Sequence, residues 1–170
     1  MRRTENKMQD VIIRKITPED VDRVMEIATQ QWLQIYDQYR KVIGDELFER
    51  FYKGAINNLR NNIYDRTQRP DYCFVAVIDG VVCGFASYRV EETALGKNGV
   101  VGYNGVDNAY KGRGIAGKLY NKLFDEMRAA GCDAAKVHTG LDDGHAPARR
   151  AYQKAGFEVG LPSIDYFKKL

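Results

Sequence analysis

Residues 110–120 read YKGRGIAGKLY, and the choice among the phosphate-binding patterns in that stretch decides how the rest of the chain is read. Gly112, Gly114 and Gly117 spell G-x-G-x-x-G, while Gly112, Gly117 and Lys118 spell G-x-x-x-x-G-K. Lys111, Gly114 and Ala116 fall at the spacing of a shorter pattern, Q/R-x-x-G-x-G/A. A dinucleotide-binding turn needs a strand running straight into its first glycine, and an acidic residue closing the next strand. Here DNAYK (107–111) separates a strand ending near Val106 from Gly112, and Asp133 precedes the next strand. A nucleoside-triphosphate loop needs Ser or Thr after its lysine to hold magnesium. Leu119 stands there, and a hard cation wants oxygen ligands.

A plain glycine turn into a helix would leave the loop without a ligand. Three glycines within residues 112–117, beside Lys111 and Arg113, exceed what a turn needs. The shorter pattern remains. Gly112 and Gly114 let backbone approach a ligand, and Ala116 keeps the wall small. The amides of residues 112–117 then converge at the start of a helix near Ile115, where unpaired N–H groups and the helix dipole attract a diphosphate.

The surrounding chain alternates between strand and helix signals. VIIRKI (11–16) is a β-branched strand, and TPED (17–20) opens a helix with Thr17 as cap and Pro18 at its first position. Val21, Val24, Ile27, Ala28, Trp32, Ile35 and Tyr36 form one apolar face, which Gly44 breaks. A second helix is expected over 45–64, with Leu47, Phe51, Ile56 and Leu59 inward. YCFVAVI, DG and VVCGFASYRV (72–90) form a hairpin signature, followed by a strand within 96–106. Ile115, Leu119, Leu123 and Met127 recur every four residues as a helix that Gly131 ends. AAKVHTG (134–140) reads as a strand and PARRAYQKAG (147–156) as a helix, and FEVG (157–160) and IDYFKKL (164–170) are expected as two closing strands.

With this order of elements, GVDNAYKGRGIAGKL (105–119) and HAPARRAYQKAGF (145–157) resemble the GNAT family of acetyl-CoA-dependent N-acetyltransferases. The resemblance covers nearly all of the chain, from about residue 11 to 170. It implies an α/β (α+β) fold: a twisted, mostly antiparallel mixed sheet flanked by helices and splayed between strands 4 and 5, here 99–106 and 134–140. It implies one N-acetyltransferase domain over 11–170, after a flexible N-terminal extension over 1–10. Acetyl-CoA, the cosubstrate, would enter the splay. Backbone near Val106 would pair with its pantetheine arm, and Lys111, Gly112, Arg113, Gly114, Ile115, Ala116 and Gly117 would hold the diphosphate. Lys111 stands where the family usually has Gln or Arg, and a lysine serves phosphate as a point charge. His145 replaces a frequent asparagine that contacts the cofactor arm; it keeps that role or simply caps its helix.

Tyr152 aligns with the tyrosine that faces the thioester sulfur, its alternative being an aromatic that packs. The resemblance further implies direct transfer of acetyl to a primary amine: a small amine, an amino acid or a peptide amine. The family often places a glutamate base on strand 4, and GVVGYNGV (99–106) has none. The proton acceptor is left among His138, Glu91, Glu92 and water. The other functional class is a catalytically idle CoA-binding or sensor module of the same fold.

Composition sets the remaining expectations. The 170 residues are 44% hydrophobic and 29% charged, with net charge +3 and no dense basic run, so no nucleic-acid partner is expected. No apolar run reaches the roughly 20 residues of a membrane span, and MRRTENKMQD lacks an apolar signal core. Cys73, Cys83 and Cys132 form no framework or metal spacing. The expectation is a cytoplasmic protein without metal, with a homodimer left open.

Overall fold

The structure is a computed structural model that describes residues 10–170; the expected extension over 1–10 lies, save Asp10, outside the described residues. Five strands form one sheet in the order β1 (Ile12–Lys15), β2 (Cys73–Ile78), β3 (Val81–Thr93), β4 (Gly96–Val106), β5 (Cys132–Val137). All neighbours are antiparallel except β4 and β5, which run parallel. The four α-helices among the described residues are α1 (Val21–Tyr52), α2 (Ala55–Thr67), α3 (Ile115–Ala129) and α4 (Ala146–Lys154).

Strand β2 shows why the sheet is a middle layer. All six of its residues are buried, as expected for an uninterrupted apolar run covered on both faces. Side chains alternate across a strand, so Phe74, Ala76 and Ile78 join a core with α3 and α4. Cys73, Val75 and Val77 join the other, with Val24, Ile27 and Ala28 of α1 and Leu59 and Ile63 of α2. Ile115, Leu119, Leu123 and Met127 are all buried on α3, as their spacing predicts.

The start of α1 is fixed by charge. Asp20 Oδ2 accepts from the Thr17 N–H at 2.8 Å and its hydroxyl at 3.0 Å, and Arg14 clamps the same carboxylate at 2.6 and 2.9 Å. Gly44, with φ 80° and ψ 163°, interrupts α1 where the apolar pattern breaks. The expected helix over 45–64 is divided at Gly54, whose φ is 74°. Phe51 was expected inward and is exposed, while Phe48 takes the buried place: the break at Gly44 resets which face of the following turns meets the sheet.

The splay is visible in the register. β4 pairs with β5 from Lys97 to Val101 only, so its second half, Gly102–Val106, has no partner on that side. A bulge opposite Ser87 puts both Gly102 and Tyr103 between the pairs Tyr88↔Val101 and Ala86↔Asn104. Bulges bend a strand and redirect its side chains, and Asn104 projects from just beyond this one.

A second expectation fails. No strand forms over 157–170; the segment leaves α4 at Gly156 and runs unpaired to the α1 surface. Phe167 packs edge-on against Phe51 at 5.2 Å, and Lys169 pairs with Glu46. Strand propensity is a fit to a pleated neighbour rather than a backbone preference, and these residues reach aromatic side chains instead of a sheet edge. Among the described residues no helix is long and apolar enough to cross a membrane.

Candidate active site

A cleft of about 1070 Å³ opens where β4 and β5 part, walled by α1 on one side and by the starts of α3 and α4 on the other. Its parts are local solutions to separate backbone problems. Val106 ends β4, and Asp107 N–H donates to Cys83 O at 2.9 Å. Asp107 then accepts from Ala109 N–H at 2.8 Å, closing a 3-10 turn over 108–110, and takes an ion pair from Arg23 of α1. That carboxylate ties the loop to a helix from the other core.

Gly112 and Gly114 have φ of 80° and 74°, a left-handed geometry that glycine adopts without penalty. Gly114 caps α3, and the first bond within the helix runs from Lys118 N–H to Gly114 O at 3.2 Å. The amides of residues 115–117 precede that bond, so the helix itself leaves them unpaired. A Cβ added at Gly112, Gly114 or Gly117 would meet nothing within 4 Å. The protein's own packing does not call for glycine at 117, where an alanine would favour the helix by roughly 0.5–1 kcal/mol. Bare backbone there fits a ligand that approaches from outside.

Val106, Lys111, Gly112, Gly114, Ile115, Ala116, His145 and Tyr152 all line the cleft. Ile115 does so from the core, at 2% exposure, which leaves its amide rather than its side chain for a ligand. Arg113 and Gly117 do not line it; Arg113 folds back, its guanidinium 5.0 Å from the Tyr110 ring centroid and donating to Ala109 O at 3.4 Å.

Tyr152 is buried within a three-member network. Asn104 Nδ2 donates to Tyr152 Oη at 3.1 Å and to Gly102 O at 2.9 Å, and Tyr120 Oη donates to Asn104 Oδ1 at 2.9 Å. The amide orientation is thus set from both ends, and the Tyr152 hydroxyl turns its own proton towards Asn104 Oδ1 at 3.4 Å, a long contact that a closer acceptor can replace. Burial raises both phenols above their ordinary value; for Tyr152 the hydrogen bonds from Asn104 and Tyr120 oppose the rise. Tyr120 carried no signal in the sequence beyond its neighbours on the α3 apolar face.

His145 stands at the N-cap position of α4, but its side chain makes no capping hydrogen bond. Its Nδ1 lies 2.6 Å from Asp142 Oδ2. A carboxylate only accepts, so Nδ1 is the protonated nitrogen and Nε2 is left free. Arg149 fastens the loop through Gly140 O at 2.6 Å and Asp142 O at 2.7 Å. A side chain at residue 140 would fall 2.4 Å from Asp142 Oδ2, so the pair needs glycine there. Tyr39 of α1 flanks the imidazole at 6.3 Å between centroids.

The other proton-acceptor candidates are placed less favourably. Glu91 is bonded by Lys136 and Arg89, which hold its carboxyl below the ordinary value. Glu92 pairs with Lys97 at 3.4 Å, and neither glutamate lines the cleft. His138 lines it from an exposed position. Thr139 also lines the cleft, its buried hydroxyl without a partner among the described residues.

The family model described as the acetyltransferase (GNAT) family matches residues 23–157. A mycothiol acetyltransferase of Corynebacterium glutamicum is 39% identical over 64 residues, 38% of this chain and 21% of that protein. The match therefore spans about a fifth of that relative's length. An aminoglycoside N-acetyltransferase solved with CoA shares 17% identity over 95% of this chain and 97% of its own, with a TM-score of 0.65. A Bacillus halodurans protein gives 17% identity, 93% and 99% coverage and a TM-score of 0.72. A glucosamine-6-phosphate N-acetyltransferase from Arabidopsis thaliana gives 16%, 95%, 100% and 0.61. At such identities the structures establish a shared fold.

Proposed function

The chain belongs to the GNAT family of acetyltransferases, and from that premise we propose that it moves acetyl from acetyl-CoA directly to a primary amine. The observation that carries the proposal is the convergence on one cleft of a helix start with unpaired amides, an unpaired strand half and a buried tyrosine hydroxyl. Acetyl-CoA supplies the acetyl group, and CoA leaves as the thiolate, which Tyr152 hydrogen-bonds and which takes up a proton from solvent as it departs.

The amides of residues 112–117, with Lys111 at the rim, hold the diphosphate. The free side of β4 near Val106 pairs with the amide-bearing arm, and Thr139 offers that arm a hydroxyl. Tyr152 Oη donates to the sulfur as the carbon–sulfur bond breaks. The amine nitrogen forms the new bond to the acetyl carbon, and its surplus proton goes to His145 Nε2, with Asp142 fixing the tautomer. Charge developing on the acetyl oxygen is met by backbone N–H of the splayed strand.

The test is CoA release from acetyl-CoA across a panel of amines. Amine-dependent release is expected, with mass-spectrometric gain of one acetyl group on the amine. Tight CoA binding with no turnover on any amine would instead mark an idle CoA-binding module, the reading favoured by the missing carboxylate on β4.

His145→Gln keeps an amide able to hydrogen-bond but cannot take a proton. It is expected to lower kcat by about 10²-fold. An unchanged kcat excludes His145 as the acceptor. A matching loss of CoA affinity assigns it to the cofactor arm.

A further inference from the structure

We infer that the acceptor amine carries an anionic group, held by Arg66; this rests on the acetyltransferase reading above. The charged side chains lining the cleft are Arg66, Arg89, Lys111, Arg150 and Lys154, and no Asp or Glu among the described residues joins them. Lys111, Arg150 and Lys154 stand at the α3 and α4 wall, where the cofactor's phosphates account for positive charge. Arg66 and Arg89 stand on the opposite side, against α1 and α2, where no phosphate of the cofactor reaches in that arrangement.

Arg89 is already answered: its Nε and Nη2 donate to Glu91 Oε1 at 3.1 and 2.7 Å. Arg66 is not. It sits in the last turn of α2, half-buried, and its guanidinium makes no hydrogen bond or ion pair among the described residues. It also borders a smaller pocket of about 310 Å³ that Tyr103, Asp65 and Arg69 line as well. Tyr103 lines both pockets and meets Trp32 of the cleft wall edge-on at 5.5 Å. A half-buried guanidinium without a partner has lost hydration and gained nothing for it. Its planar fork matches a carboxylate or a phosphate in two parallel hydrogen bonds.

The same electrostatics weigh against a polycationic acceptor. Each additional ammonium would enter walls that carry cations and no carboxylate, with like charges strengthened by the low local dielectric. An amine whose own anion reaches Arg66 neutralises the site as it binds. A carboxylate or a phosphate satisfies this equally, and the two are separated by choice of substrate.

The experiment compares matched acceptors at saturating acetyl-CoA: an amino acid against its carboxamide, an amino-sugar phosphate against the free amino sugar, and an aminoglycoside. One anionic member is expected to exceed its neutral partner in kcat/KM by about 10- to 100-fold, with the ratio falling as salt rises. Arg66→Gln is expected to bring the ratio close to one through the KM of the anionic acceptor, and Arg66→Lys to restore part of it. Retained CoA affinity in both variants shows that the fold survives. The inference is overturned if neutral amines or the aminoglycoside are acetylated as well as the anionic ones. It is equally overturned if Arg66→Gln raises KM for charged and neutral acceptors alike. No turnover on any member overturns the acetyltransferase reading itself, and this inference with it.

Discussion

Gly114→Glu is expected to weaken CoA binding by at least about 100-fold while the protein stays folded. Gly114 caps α3 at φ 74°, and a side chain in that region costs about 1–2 kcal/mol. A Cβ there meets no protein atom within 4 Å, so strain is the main cost to the fold. For a domain of this size it lowers the melting midpoint by a few degrees. The effect on binding is of another order. The new carboxylate stands at the positive end of α3, where it occupies the amides of residues 115–117 and repels a diphosphate. Losing two charge-assisted hydrogen bonds at roughly 1.5–3 kcal/mol each gives the stated factor or more. Calorimetric titration with CoA reads the loss, and a thermal melt confirms the fold. Undiminished affinity would mean that the phosphates lie elsewhere.

Tyr152→Phe is the second large effect: kcat is expected to fall by about 10²-fold with little change in the KM for acetyl-CoA. The ring keeps its place between Tyr120 at 5.5 Å and Phe157 at 6.0 Å between centroids, so packing survives. Asn104 Nδ2 loses one acceptor and retains Gly102 O at 2.9 Å, which limits the stability cost to about 1 kcal/mol. What disappears is the single proton aimed at the leaving sulfur.

Burial raises the Tyr152 phenol above its ordinary value, while a thiol ordinarily titrates near 8.5. Complete proton transfer is therefore uphill, and the hydroxyl acts by hydrogen-bonding the developing thiolate. A neutral phenol raised in the fold contributes fully below the unfolded value of about 10 and loses that contribution as pH climbs through the folded value. An unaltered kcat in steady-state assays would remove Tyr152 from the chemistry.

Much of the fold was legible because its signals are local. Gly112 and Gly114 answer a backbone demand within one turn, and Ile115, Leu119, Leu123 and Met127 declare their shared face by spacing alone. The apolar run of β2 announces a strand covered on both sides. The closing strands over 157–170 misled for the complementary reason: a strand exists only with a neighbour, and nothing in IDYFKKL says that Phe167 will find Phe51. Phe51 itself misled because the break at Gly44 was read as an end rather than as a change of face.

By itself the sequence determined the glycine-lined entrance to α3, the apolar face of α3 and the family, since each depends on neighbours within a few residues. The tertiary structure alone decided which side chains meet. Asn104, Tyr120 and Tyr152 join because a bulge in β4 turns one residue towards two helices distant in sequence. His145 gains a fixed tautomer because Arg149 pulls the preceding loop onto the start of α4. Arg66 faces the cleft without a partner only because α2 ends beside Tyr103. Periodicity encodes which face of an element is buried, but distances between elements follow from pairing register and packing, which no spacing along the chain records.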